Sequence, residues 1–293
     1  MVQPSHLHVR QGIWLMMRAS VAFSVMALGV KVASQSLSPM QVVFLRSFLG
    51  LLMVSGMMWL TKASFLGANS RMLFLRGLSG FVALALNFYA ITLLNLGTAI
   101  MLNQTAPIFV ALLSATVLKE RVHWITWVSI LVAFVGVYLL VAPRLEYEWW
   151  GFCAGLASGF AAALAYLCVR VTRHEKSPYT IIFYFTFVST LGSLGALHEG
   201  IRVESLSLWI AIGAIAFSSF SGQVLLTRSL TMASPSVLLP FGYLTSILGM
   251  VYGWVFWHER MSGLQIFGAL LIIVGGAICF SYNARQYRRV EVA

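Results

Sequence analysis

The stretch NFYAITLLNLGTAIMLNQTAPIFVALLSATVLKER, residues 87–121, decides how the chain has to be read. It holds the end of one apolar span and all of the next, and it closes on the charged corner Glu120-Arg121. In the middle of the second span stand Asn103, Gln104, Thr105 and Pro107, a polar cluster with a helix breaker in a segment otherwise fit for hydrocarbon. A related stretch, Val237 to Arg260, recurs in the second half. There Pro240 and Gly242 interrupt the helix and His258-Glu259-Arg260 closes it. Interrupted spans at corresponding places in two halves point to a transporter's binding site.

The composition agrees. Of 293 residues 60% are hydrophobic and 9% charged, with a mean hydropathy of +0.88, whereas a soluble domain carries roughly 25% charged residues. Ten spans of about 20 residues occupy about 200, which leaves short loops and no room for a soluble domain. The spans read as roughly 12–34, 40–61, 71–94, 97–118, 123–142, 150–171, 179–198, 207–230, 236–257 and 263–283, with a basic tail over 284–293. The formal charge of +11 is that of loops facing anionic headgroups. No basic run is interleaved with aromatics as a nucleic-acid surface would need. The N-terminus lacks a cleavable signal pattern, so the first span is expected to stay as an anchor.

The basic residues orient the chain. With the N-terminus cytoplasmic, fourteen Lys and Arg fall inside, Arg76 among them, and three fall outside (Arg144, Arg202, Arg260), with Lys31 and Arg46 within spans. That asymmetry predicts ten spans with both termini cytoplasmic in the inner membrane. Glu120-Arg121 and Glu259-Arg260 lie 139 residues apart, and Gly136 and Gly275 keep the same offset. Five spans per repeat is an odd number, so the second copy enters the membrane from the opposite side. The expected fold is all-α and integral to the membrane: two inverted five-helix repeats over 12–142 and 150–283, related by a pseudo-two-fold axis in the membrane plane.

Arg46 lies about seven residues into the second span. A charge at that depth costs several kcal/mol unless paired or hydrated, so it marks a functional position, and a guanidinium suits a carboxylate or phosphate. A structural tie to backbone carbonyls and snorkelling are the other uses of such an Arg; snorkelling is the favoured reading of Lys31. Asn103, Gln104 and Thr105 occupy successive faces of one helix, so one or two of them reach the bundle interior, either as substrate contacts or as interhelical hydrogen bonds. Asn87, Tyr89, Gln223, Tyr243 and Thr245 carry the same two readings. Pro107, Pro240 and Gly242 are the helix breaks expected to gate. Trp14, Phe88 and Phe241 are candidates for a cavity wall. Gly151, Gly155 and Gly159 form overlapping GxxxG patterns suited to close helix packing, with a homodimer contact as the alternative use.

Several chemistries lack their residues. There is no Asp, and none of the eight Glu is mid-span, so a carboxylate relay for protons or sodium is not expected. The three Cys show no paired spacing, which predicts neither disulfide nor metal site. No Walker loop, HExxH or nucleophile elbow is present, and no cofactor is implied.

The segment PIFVALLSATVLKER (107–121), followed by a Gly-bearing span, resembles an EamA domain of the drug/metabolite transporter (DMT) superfamily, and the second half resembles a more divergent copy. VVFLRSFLG (42–50) and LRGLSGFVALALNFYA (75–90) are similar to the subgroup of S-adenosylmethionine and riboflavin importers and solute-carrier 35G-like proteins. The resemblance implies ten helices, a central cavity between helices 3, 4, 8 and 9, and metabolite transport. The reading is therefore a secondary transporter moving a small organic metabolite by alternating access, facilitative or by exchange. A proton-coupled exporter of amino acids or drugs is the runner-up. A membrane enzyme would need acidic or His clusters the chain lacks, and a purely structural role leaves the paired breaks without a purpose.

Overall fold

The computed structural model describes residues 6–116, 124–141, 145–172, 175, 177–198, 200–201, 203, 205–233 and 235–292. Everything regular in them is helical. In order these are α1 (His6–Ala33), α2 (Pro39–Thr61), α3 (Ser70–Leu93), α4 (Leu96–Asn103), α5 (Ala106–Thr116), α6 (Trp124–Val141), α7 (Leu145–Val171), α8 (Pro178–Gly192), α9 (Leu206–Met232), α10 (Pro235–Leu238), α11 (Tyr243–Trp257) and α12 (Gly263–Val292). Short 3-10 turns follow α8 (Leu194–Leu197) and join α10 to α11 (Leu239–Gly242). Seven stretches among the described residues are long and apolar enough to cross a membrane: 8–33, 39–61, 70–93, 96–113, 148–171, 206–232 and 239–257. Two shorter apolar helices cover 127–140 and 263–278.

The helices start where a side chain can take up a free backbone N–H. Ser38 and Gln41 form a reciprocal capping box at α2, with Pro39 in the first turn. Ser177 accepts from Tyr179 N ahead of Pro178 at α8. Asn69 caps α3 and Ser205 caps α9. Ser38-Pro39 and Ser177-Pro178 keep the 139-residue offset, so the two halves start this helix by the same device.

The helix contacts follow the repeat offset. α1 lies along α9 and α3 along α7, pairs that interchange when the halves are exchanged. α2 with α8 and α6 with α12 each pack on their own counterparts, while α4 on α11 interchanges with α10 on α5. Small residues permit the closest of these approaches. A Cβ at Gly136 would come within 2.6 Å of Gly268 O, and one at Gly275 within 2.8 Å of Ser129 O; Ser129 and Gly268 are themselves related by the offset.

Two expectations need correction, and the last helix continues past the expected span to Val292, through the segment read as the basic tail. The seventh span ends as regular helix at Gly192 and finishes in the 3-10 turn. Arg76, counted with the cytoplasmic loops, is buried in the bundle at 3% exposure, in the second turn of α3. Glu120-Arg121 lies outside the described residues.

Candidate functional site

The helices are interrupted in both halves. In the first half the helix halts at Asn103 and resumes at Ala106, with Gln104 and Thr105 between. In the second it passes through Leu239–Gly242 as a 3-10 turn before α11. A break frees backbone carbonyls that lipid cannot satisfy, so protein must do it. Ser20 on α1 donates to Phe241 O at 3.3 Å as well as to Met16 O. Thr105 Oγ1 donates to Leu102 O at 2.6 Å. The breaks touch each other: Gln104 Nε2 lies where a Cβ on Gly242 would be 2.6 Å away, so a larger residue there would push the Gln104 amide aside.

Between the breaks lies a cavity of about 120 Å³, enough for several waters or a small organic molecule. Its polar wall consists of Ser20, Arg76, Asn87, Asn103, Gln104, Tyr166, Gln223 and Thr245, against apolar surface from Phe23, Met26, Leu84, Leu226 and Phe185. The first, third, fourth, sixth, seventh, eighth and ninth spans all contribute, so the wall is wider than the four-helix one expected. α3 supplies a single stripe, Arg76, Gly80, Ala83, Leu84 and Asn87, at the 3.6-residue spacing of one helix face.

Of the sequence-derived candidates, Asn87, Asn103, Gln104, Gln223, Thr245, Pro107 and Gly242 line this cavity. Asn103 Nδ2 donates to Ser158 Oγ at 3.0 Å, and Thr245 Oγ1 donates to Ser20 O at 3.2 Å. Pro240 does not line it. It lies with Pro107, Gly275 and Gly276 around a smaller pocket between α5, α6 and α12. Arg46 is buried at 2% exposure one layer behind the wall, its Nε 2.5 Å from Ser219 Oγ. Tyr243 is buried beside Gly276 rather than in the cavity. Tyr89 is 42% exposed on the outer face of α3 and Trp14 is 55% exposed, while Phe88 is core. The cavity's aromatic residues are instead Phe23, Tyr166 and Phe185.

The residue the sequence reading missed is Arg76. It lay inside the predicted third span, 71–94, within one residue of the depth of Arg46 from its own edge, and that depth was the available signal. Its Nη2 donates to Gln223 Oε1 at 3.3 Å. Its guanidinium carbon lies 4.6 Å from the Phe185 ring centroid, and that of Arg46 lies 4.9 Å from the same centroid. A ring shared by two cations offsets part of their burial, since each such contact contributes about 0.5–2 kcal/mol. It does not neutralise them. Neither guanidinium meets a carboxylate among the described residues, and Arg46 Nη1, Arg76 Nε and Nη1, and Asn87 Oδ1 are buried without a hydrogen-bond partner.

The other intramembrane cation is spoken for. Lys31 Nζ lies 3.2 Å from Glu259 Oε1 and donates to Ile91 O and Leu94 O, so it is paired rather than snorkelling freely. Glu259 Oε2 in turn accepts from Leu96 N at 2.8 Å, capping α4 from the other half of the chain. Gly151, Gly155 and Gly159 face Leu94, Leu102 and the Asn103 carbonyl, so that stripe packs within the chain.

A polar cavity at the crossing of two broken helices, inside a bundle with long apolar faces, is the arrangement of a membrane carrier's binding site. The chain belongs to the EamA-like transporter family, whose model matches it twice, at residues 10–142 and 149–281. It is thus a membrane transporter of the DMT superfamily. It is 33% identical to the pseudopaline exporter CntI of Pseudomonas aeruginosa over 91% of this chain and 94% of that one. It is 22% identical to an S-adenosylmethionine uptake transporter of Rickettsia conorii over 68% of each chain, and 20% identical to a riboflavin transporter of Vibrio cholerae over 65% of this chain and 64% of that one. A solved crystal structure shares the fold at TM-score 0.67 and 16% identity, covering 92% of this chain and 96% of the other.

Proposed function

We propose that the protein is a secondary transporter of the cytoplasmic membrane that moves a small organic metabolite through the cavity between its two halves by alternating access, by exchange or facilitated diffusion. Ten spanning helices form two inverted repeats over 12–142 and 150–283, with both termini cytoplasmic. The exchange symmetry of the packing carries this reading: α1 on α9 mirrors α7 on α3, and α2 meets its own counterpart α8. Two halves related this way can interchange conformations, which opens one central site to either side in turn. Relatives named for uptake and for export are the outcome one expects of a scaffold with no built-in direction.

Counterflow in proteoliposomes tests it. Vesicles preloaded with unlabelled metabolites (nucleosides, flavins, S-adenosylmethionine, amino acids, carboxylates) should accumulate the labelled form of one class without an imposed gradient. Accumulation only under a pH gradient would overturn exchange in favour of proton coupling.

A further inference from the structure

The cavity has a charge but no counter-charge. Among the residues lining it, Arg76 alone carries a full charge. The guanidinium is held in place from three sides: Gln223 accepts from Nη2, Phe185 lies under the plane, and Gly80 leaves the room that the head group fills. A Cβ at Gly80 would strike Arg76 Nη1 and come within 2.7 Å of the Phe185 ring. What the protein leaves unmade is informative, because buried polar groups are normally satisfied. Two donor nitrogens, Arg76 Nε and Nη1, and one acceptor, Asn87 Oδ1, have no partner. The head group sits at the level of Gly80, seven residues from Asn87 on the same stripe of α3, which is about 10 Å along the helix. The wall between them includes the apolar Ala83 and Leu84.

We infer that this cavity is a site for an elongated, carboxylate-bearing metabolite, whose carboxylate accepts from the Arg76 guanidinium and whose other end, about 10 Å away, donates an N–H or O–H to Asn87 Oδ1. The inference rests on the cavity being the transport site. A carboxylate matches the guanidinium as a charge-assisted pair, and the ligand's charge neutralises the one ionised group in the wall. Arg46, on the same ring from behind, adds positive potential without reaching the ligand. An organic cation lacking a carboxylate would meet Arg76 unpaired and be rejected.

The probe is a series of linear ω-aminocarboxylates of increasing length, set against their methylamides and matching phosphonates. Binding to purified protein in nanodiscs is read by thermal stabilisation. The acids should bind best at a length of about 10 Å. The methylamides should bind about 10–100-fold more weakly, the loss of a charge-assisted hydrogen bond. Arg76→Gln should abolish the difference between acid and amide, and Asn87→Leu should remove the length optimum. Gly80→Ala, which keeps the charge but displaces the head group, should weaken acids alone if Arg76→Gln does not fold. Equal binding of acids and amides, no binding by any acid, or tighter binding of phosphonates through Arg76 would each overturn the assignment. Counterflow of the best acid separates this from the transport reading. Binding as described without exchange would leave the subsite standing and sink the carrier.

Discussion

The guanidinium carbon of Arg46 lies 4.9 Å from the ring centroid of Phe185, and the two residues stand at the same place in the two halves. Each is seven residues beyond a helix-starting proline, Pro39 in α2 and Pro178 in α8. A residue that touches its own counterpart must lie at the pseudo-axis. The two halves have therefore placed different chemistry at one point, a cation from the first and an aromatic face from the second. Arg76 joins them on the same ring, so Phe185 links the axis to the cavity wall.

Arg46→Gln should abolish counterflow without harming the fold. Both buried guanidiniums are unpaired with acid, and burying a charge in that state costs several kcal/mol. Removing one of two neighbouring cations should leave the melting temperature in detergent unchanged or raised. Normal transport by the folded variant would take Arg46 out of the mechanism, and a lower melting temperature would make it a structural tie.

Glu259→Ala should destabilise more than Lys31→Met. The Lys31–Glu259 pair is mostly buried, at 16% and 13% exposure, so removing either partner leaves the other charge uncompensated. Glu259 also caps α4 through Leu96 N, and loss of a cap costs about 1 kcal/mol more. Denaturation of the two variants side by side decides it; equal losses would mean that the cap contributes nothing.

Gly136→Leu should prevent assembly of α6 against α12, because even a Cβ there would meet Gly268 O at 2.6 Å and Ile272 N at 2.9 Å. The expected outcome is aggregated rather than monodisperse protein on gel filtration. Gly56→Leu, where no atom lies within 4 Å, is the control and should purify normally.

Single cysteines at Ser38 and Lys62 should report opposite sides of the membrane. They cap the two ends of α2, whose 23 residues span about 34 Å. Impermeant reagents applied outside intact cells should label position 38, and likewise 147, but not 62 or 176. The reverse pattern would overturn cytoplasmic termini.

Much of the fold was legible because lipid imposes its demands locally. Span positions follow from run length, the helix starts from Ser-Pro pairs, and the repeat from a constant offset between Pro39 and Pro178 or Gly136 and Gly275. The breaks at Gln104-Thr105 and Pro240 were readable for the same reason, since a proline inside an apolar run has few explanations. The site was only half legible. Asn87 and Tyr89 are two residues apart on one helix, yet one lines the cavity and the other is 42% exposed; only the neighbours of α3 decide which face is inward.

Sequence alone thus determined that this chain is a two-repeat helical membrane transporter, because hydrophobicity, charge asymmetry and repeat spacing are properties of the chain itself. Tertiary structure decided where the charges go. It drew Arg76 from the presumed cytoplasmic side into the cavity wall, set Arg46 behind it on Phe185, and tied Lys31 to Glu259 from the other half. A buried cation's role depends on which groups surround it in space, and those partners lie 109 residues from Arg76 and 228 from Lys31 along the chain.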